Sequence, residues 1–77
     1  MHKGFILLNC DLGAEEYVVD ELKQMQNTSN SYLTFGAYDV IAEIQTETQD
    51  DFEKTIADIR KLSRVVSTMT LNVIAPE

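Results

Sequence analysis

The sequence has one cysteine, no tryptophan, few basic residues and no long apolar run, and each shortage excludes a class of protein. Because Cys10 is the only cysteine, an internal disulfide framework is impossible, which suggests a reducing compartment such as the cytoplasm. Cys10 and His2 are the only cysteine and histidine, so a structural zinc site is excluded. The net charge of −7 argues against direct nucleic-acid binding, which needs clustered lysine and arginine. The longest apolar run, residues 5–8, is too short for a membrane span or a signal-peptide core.

The length of 77 residues corresponds to one small domain, residues 1–77. A chain of this size buries only about 60% of the surface that its unfolded form exposes, so a lone copy is marginally stable. No linker or low-complexity tract divides the sequence. We therefore expect a small acidic domain that needs a partner surface.

Hydrophobic periodicity predicts four strands and two helices in the order βαββαβ. The predicted strands cover residues 4–9, 32–35, 38–45 and 65–74, and the predicted helices cover residues 15–26 and 49–63. The polar residues 27–31 are predicted to form a loop, and Gly36 with Ala37 a tight turn between the second and third strands. Thr48 is the predicted N-cap of the second helix, with Asp51 three residues further on.

With right-handed crossovers, this order of elements predicts a ferredoxin-like α+β fold. The sheet is expected to be four-stranded and antiparallel, in the order 4-1-3-2, with both helices on one face. Met69, Leu71 and Val73 are predicted to face the helices, which leaves Thr68 and Thr70 on the open face. Because the first strand is apolar on both faces, we expect a dimer that packs sheet against sheet.

Polar residues of the third and fourth strands are predicted to meet at one end of the open face. Asp39 begins the third strand, and Thr68 and Thr70 lie toward the start of the fourth, two strand spacings or roughly 10 Å away. A carboxylate facing two hydroxyl groups across that gap can hold a small zwitterion, with Asp39 binding the ammonium group. The alternative is that Asp39 supports the hairpin turn and that the threonines are ordinary strand formers.

Four segments in a fixed order give the sequence a resemblance to a known family. They are Phe5-Ile6-Leu7-Leu8, residues 15–22, Thr34-Phe35-Gly36-Ala37-Tyr38-Asp39-Val40, and Val65-Val66-Ser67-Thr68-Met69-Thr70-Leu71-Asn72-Val73. Together they resemble the effector-binding domain of Lrp/AsnC regulators, also called RAM, for regulation of amino-acid metabolism. The Gly-x-Tyr-Asp turn and the Thr-x-Thr of the last strand are the most specific parts of this match, which covers almost the whole chain.

The resemblance implies the βαββαβ fold, dimers formed through the sheet faces, and assembly of dimers into tetramers, octamers or larger rings. It also implies an amino-acid effector at an interface between dimers. The residues that it places around this effector are Gly36, Tyr38, Asp39, Thr68 and Thr70. Full regulators carry an N-terminal winged helix-turn-helix, whereas here the first strand begins within a few residues of the start. We therefore expect a stand-alone version without a DNA-binding domain.

The sequence departs from the family pattern where the second and fourth strands begin. The family often has a Pro-Gly-Val-like segment there, and this chain has Ser29-Asn30-Ser31 and Ser63-Arg64-Val65. These differences alter the expected loop geometry and, with it, effector specificity.

Two other binding functions share the same fold order. An ACT-like amino-acid-binding regulatory domain binds its ligand near the loop after the first strand, here Asp11-Leu12-Gly13. A pure oligomerisation partner of full-length Lrp/AsnC regulators needs no effector at all. Either reading keeps the protein a regulatory module rather than an enzyme.

Enzyme functions are disfavoured by the lack of a nucleophile with a base beside it. His2 lies far in sequence from Cys10 and from every serine, and Cys10 is expected to be a small buried residue. A monooxygenase-type dimeric α/β barrel is disfavoured because no tryptophan or suitably placed histidine is present. We expect a cytoplasmic module that senses an amino acid without metal or cofactor and acts by changing its oligomeric state.

Overall fold

The computed structural model describes residues 1–74, and residues 75–77 of the predicted domain lie outside them. The strands are β1 (His2–Cys10), β2 (Thr28–Leu33), β3 (Val40–Thr46) and β4 (Val65–Asn72), and the helices are α1 (Glu15–Lys23) and α2 (Gln49–Arg60). The sheet is antiparallel in the order β2-β3-β1-β4, which confirms the predicted ferredoxin-like topology. Within residues 1–74, neither helix has the length and hydropathy to cross a membrane.

The core lies between the sheet and the two helices, and the alternation of β1 and β3 builds its sheet side. The two strands pair from His2 opposite Thr46 to Leu8 opposite Val40, so alternate residues share a face. The strand residues that face the helices with no exposed surface are Ile6, Leu8, Val40, Ala42 and Ile44. The helices cover them with Val18, Leu22, Phe52, Ile56 and Ile59. The buried helix residues thus follow the predicted helical spacing.

Gly4 of β1 makes room for the largest buried side chain. A Cβ atom at Gly4 would lie 2.6 Å from the backbone oxygen of Leu71 and would overlap the ring of Phe52. That ring is also in edge contact with His2, at a centroid distance of 4.5 Å. The close approach of Phe52 to β1 therefore requires a glycine.

The two helices begin differently. Thr48 is the N-cap of α2, and its hydroxyl accepts a hydrogen bond from the backbone nitrogen of Asp51 at 3.1 Å, which confirms the predicted cap. α1 has no side-chain cap, but Glu15 and Glu16 lie in its first turn, where negative charge suits the helix dipole.

The polar segment that the sequence predicts as a loop forms most of β2. Residues 28–33 pair with β3, and the register is irregular between Thr28 and Asn30. Ser29 Oγ donates to the backbone oxygen of Glu43 at 3.2 Å, and Asn30 Nδ2 donates to Glu43 Oε1 at 2.7 Å. Polar residues have low strand propensity, but β2 is an edge strand that these bonds hold against β3. The predicted two-residue turn is instead a longer loop, residues 34–39.

The predicted orientation of β4 is wrong. Leu8 pairs with Thr68 and Ile6 with Thr70, whereas Leu7 pairs with Met69. Because directly paired residues lie on the same face, both threonines face the helices. The open face carries Met69, Leu71 and, just after β4, Val73, whose backbone nitrogen donates to the oxygen of Lys3. Both faces of β4 have residues suited to a strand, so only its register with β1 decides the orientation.

Candidate functional site

The loop between β2 and β3 holds three of the five predicted site residues, Gly36, Tyr38 and Asp39, which we call the loop group. Thr34 closes this loop, because its backbone nitrogen donates to the oxygen of Asp39 at 2.9 Å and its hydroxyl donates to the oxygen of Tyr38 at 2.6 Å. Gly36 has a φ of +135°, a conformation that suits glycine. Phe35, at the tip of the loop, is fully exposed.

Asp39 is held against the end of β1. Its backbone nitrogen donates to the oxygen of Leu8 at 2.9 Å. Its Oδ2 atom accepts a hydrogen bond from the backbone nitrogen of Cys10 at 3.1 Å, and the thiol sulfur of Cys10 lies 3.9 Å from the same oxygen. The carboxylate thus ties the loop to the end of β1, whereas the alternative role offered by the sequence is support of the hairpin turn itself. Its role in binding an ammonium group stays a prediction.

Three possible metal ligands meet beside this contact. The ligand atoms of Cys10, Glu15 and Asp39 lie within 4.8 Å of one another, a grouping that the sequence alone does not reveal. Burial raises the pKa of the Cys10 thiol, and the nearby carboxylates of Asp39, Glu15 and Asp11 raise it further. A raised pKa disfavours the thiolate that metal binding or nucleophilic attack needs. Cys10 is 9% exposed and belongs to the hydrophobic core, as predicted.

Tyr38 extends over the open face of the sheet. Its hydroxyl lies 3.7 Å from the sulfur of Met69 on β4, and its side chain is half-buried. The loop group therefore spans two environments, the end of β1 at Asp39 and the open face at Tyr38.

Thr68 and Thr70, which we call the threonine pair, lie on the opposite face, toward α2. Thr68 Oγ1 accepts a hydrogen bond from Arg60 Nε at 3.2 Å. Thr70 Oγ1 is buried and has no hydrogen-bond partner among residues 1–74. The prediction that Asp39 and both threonines share one end of the open face is therefore wrong. The error follows from the orientation of β4, since a shift of one residue exchanges its two faces.

A groove of about 370 Å³ separates α2 from β4 beside the threonine pair. Polar residues line it from both elements, and Phe52 and Ile56 supply its apolar part. The polar lining residues are Gln49, Glu53, Arg60, Thr70 and Asn72. No local pattern in the sequence places Arg60 beside this groove, because its hydrogen bond to Thr68 depends on the orientation of β4.

The open face carries an apolar patch of five residues, Phe5, Leu7, Ile41, Met69 and Leu71, which we call the open-face patch. Met69 is 47% exposed and Leu71 is 49% exposed. An ion pair borders the patch, with Lys3 Nζ 2.7 Å from Glu43 Oε2. Hydrogen bonds from Lys3 and Asn30 lower the pKa of Glu43. The face thus has an apolar centre and a charged border, as many protein interfaces do.

Comparison with known proteins identifies the family. No protein-family model and no curated protein matches the chain. Among solved structures, FFRP-DM1 matches with a TM-score of 0.92 and 32% identity, over 96% of this chain and 100% of that one.

Two further structures share the fold at lower identity. AsnC of E. coli has a TM-score of 0.89 and 18% identity, over 97% of this chain and 52% of AsnC. A transcriptional regulator of Neisseria meningitidis, solved as a complex with L-Met, has a TM-score of 0.84 and 13% identity, over 96% of this chain and 50% of the regulator. The chain therefore belongs to the Lrp/AsnC family of regulatory proteins and has the fold of the RAM domain, as its sequence motifs predict.

Proposed function

We propose that the protein is an amino-acid-sensing and oligomerisation module of Lrp/AsnC type, which acts by binding rather than by catalysis. The observation that carries the oligomerisation part of this proposal is the open-face patch, because it is a continuous apolar surface on a domain whose family is typically oligomeric. The similarity to a regulator solved as a complex with L-Met supports the amino-acid part. The proposed partners are, first, a second copy of the chain and, second, full-length Lrp/AsnC regulators. The single reduced thiol and the family both favour the cytoplasm as the location.

Dimerisation through the open-face patch would bury apolar side chains that a single chain leaves partly exposed. Two sheets pack about 10 Å apart when their side chains interdigitate, which suits medium-sized residues such as Leu7, Ile41 and Met69. Lys3 and Glu43 would then lie at the rim, where a charged pair can keep contact with water.

An effector site between dimers would join the two groups of predicted site residues. The sheet separates Tyr38, on the open face, from the threonine pair, on the helix face, so one chain cannot present both to one small molecule. We therefore propose that the loop group of one chain and the threonine pair of another enclose the amino acid. A ligand bound between chains has affinity only for the assembled form, so its binding shifts the oligomeric state.

A calorimetric titration tests this proposal, with each of the twenty L-amino acids as ligand and L-methionine first. The informative variant is Asp39→Asn, which keeps an oxygen that can accept the hydrogen bond from Cys10 but removes the charge that an ammonium group needs. The matched control is Asp11→Asn, which changes an exposed residue of the loop after β1. We expect the wild type and the control to bind at least one amino acid and Asp39→Asn to bind it at least ~10-fold more weakly.

Other outcomes separate the alternatives. Loss of binding in the Asp11 variant alone would favour a site of ACT type. Binding of none of the twenty amino acids, with an intact oligomer in light scattering, would contradict sensing and favour a pure oligomerisation partner. A monomer at about 100 μM chain would contradict the dimer.

A further inference from the structure

The groove between α2 and β4 contains the guanidinium group of Arg60, which has unused hydrogen-bond donors. Arg60 Nε donates to Thr68 Oγ1, and this bond holds the guanidinium group over β4. Among the described residues, the two terminal nitrogens of Arg60 take part in no hydrogen bond or ion pair. A guanidinium group has five N–H donors in a planar fork that matches a carboxylate. Four of those donors are thus available to a ligand.

Thr70 supplies a second unused group in the same groove. Among the described residues its hydroxyl has no hydrogen-bond partner, as is also true of Thr28 and Ser31, but of these three only Thr70 lines this groove. Rotation about χ1 moves a threonine hydroxyl between staggered positions without any change in the backbone. A ligand in the groove could therefore supply the partner that the chain does not.

The apolar lining residues, Phe52 and Ile56, fit the side chain of an amino acid. The carboxylate of Glu53 at the groove accepts a hydrogen bond from Gln49 at 3.2 Å, so we do not assign it to the ligand. The volume of about 370 Å³ lies in the usual range for small-molecule sites. A zwitterion with an apolar side chain matches this lining better than an inorganic anion does.

We propose that Arg60 binds the carboxylate group of the amino-acid effector, with Thr70 as a second ligand to the same group. This inference rests on the proposed sensing function and assigns one residue to the anionic end of the ligand. The loop group of a neighbouring chain, through Asp39, would then bind the ammonium end.

The test measures binding of L-methionine, and then of the other nineteen L-amino acids, to four forms of the whole chain. These are the wild type, Arg60→Gln, Arg60→Lys and the control Lys61→Gln, which removes the same charge from the next residue, also exposed. Each amino acid that binds is compared with its amino alcohol, which keeps the ammonium group and side chain but lacks the carboxylate. Thermal melting shows that each variant is folded, and Arg60 is exposed, so we expect no large change there.

We expect Arg60→Gln to weaken binding of the amino acid at least ~10-fold, Arg60→Lys to weaken it less, and Lys61→Gln to change it less than ~2-fold. The amino alcohol should bind the wild type and Arg60→Gln equally. It has no carboxylate group to pair with Arg60, so the substitution removes no contact with it. If the wild type binds an amino acid and Arg60→Gln binds it equally well, the role of Arg60 is overturned while the sensing function stands. If the wild type binds none of the twenty, both are overturned.

Discussion

The same strands build both faces of the sheet, but one face is buried beneath the helices and the other is partly exposed. On the helix face, Ile6, Leu8 and Ile44 have no exposed surface, whereas on the open face Met69 and Leu71 remain about half exposed. Both faces of β1 carry large apolar residues, Ile6 and Leu8 on one and Phe5 and Leu7 on the other, so these residues alone do not show which face the helices cover. The apolar pattern of a strand therefore shows which residues favour burial. It does not show whether they are buried by helices of the same chain or by another chain.

The largest effect should come from disturbing the covered face at Gly4. We expect Gly4→Ala to lower the free energy of unfolding by about 3 kcal/mol, because the new Cβ atom would lie 2.6 Å from the backbone oxygen of Leu71, which cannot rotate away. Urea denaturation measures the change. The matched control is Gly13→Ala, where φ is +86° but no atom lies near the new Cβ, so about 1 kcal/mol is expected. Equal losses in the two variants would contradict the close packing at Gly4.

Breaking the open face should affect assembly more than folding. We expect Leu71→Ser to weaken a dimer by about 2 kcal/mol, or roughly 30-fold in Kd, since each of the two copies loses buried apolar surface. Sedimentation equilibrium over a concentration series measures this. Leu12→Ser is the control, because Leu12 is 99% exposed on the loop after β1, outside the open-face patch. An unchanged oligomer in Leu71→Ser would exclude this face as the interface.

A substitution at Arg64, before β4, should have a smaller effect than the two above, and it should raise the free energy of unfolding. Arg64 has a φ of +77°, in the left-handed region that favours glycine. We expect Arg64→Gly to raise the free energy of unfolding by about 1 kcal/mol, measured by thermal and urea denaturation. Arg64→Ala removes the same charge but keeps a Cβ atom, so it should give no such gain. A gain in both variants would assign the effect to charge instead of backbone strain.

The smallest effect concerns the ion pair at the border of the open-face patch. The folded protein lowers the pKa of Glu43 below its ordinary value of 4.5, so the stability from this carboxylate is present above that pH and is lost as the pH falls below it. For a pair that keeps contact with water, as Lys3 does here, the difference is a few tenths of a kcal/mol. Urea denaturation between pH 6 and about pH 3 should therefore show a flatter pH dependence for Glu43→Gln than for the wild type. Glu47→Gln, at an exposed residue after β3, is the control and should retain the wild-type slope.

The fold could be predicted because its signals are local. Alternation in β1 and β3, helical spacing at Val18 and Leu22, and the Thr48 cap each depend on residues close together in sequence. Only the polar first part of β2, residues 28–31, could not be predicted, because Ser29 and Asn30 are held in a strand by bonds to Glu43, more than ten residues away.

The site was harder to predict than the fold, because its geometry depends on register. Thr68 and Thr70 were identified as candidates, but their face depends on which residue of β1 lies opposite each one. Arg60 becomes a candidate only through its hydrogen bond to Thr68, which lies on the face of β4 toward α2. Local sequence carries no information about such pairings, which join residues from different elements.

The hydrogen bond that the Cys10 amide donates to Asp39 offers an NMR signal for effector binding. An ammonium group that binds Asp39 would draw charge toward itself on the carboxylate that also accepts this hydrogen bond, and so would weaken the bond. The electron density around the Cys10 amide proton would then change, and its NMR resonance would move with ligand occupancy. Since Cys10 lies at the end of β1, a strand with a neighbour on each side, the peak of this one amide could follow effector binding without a change in the sequence.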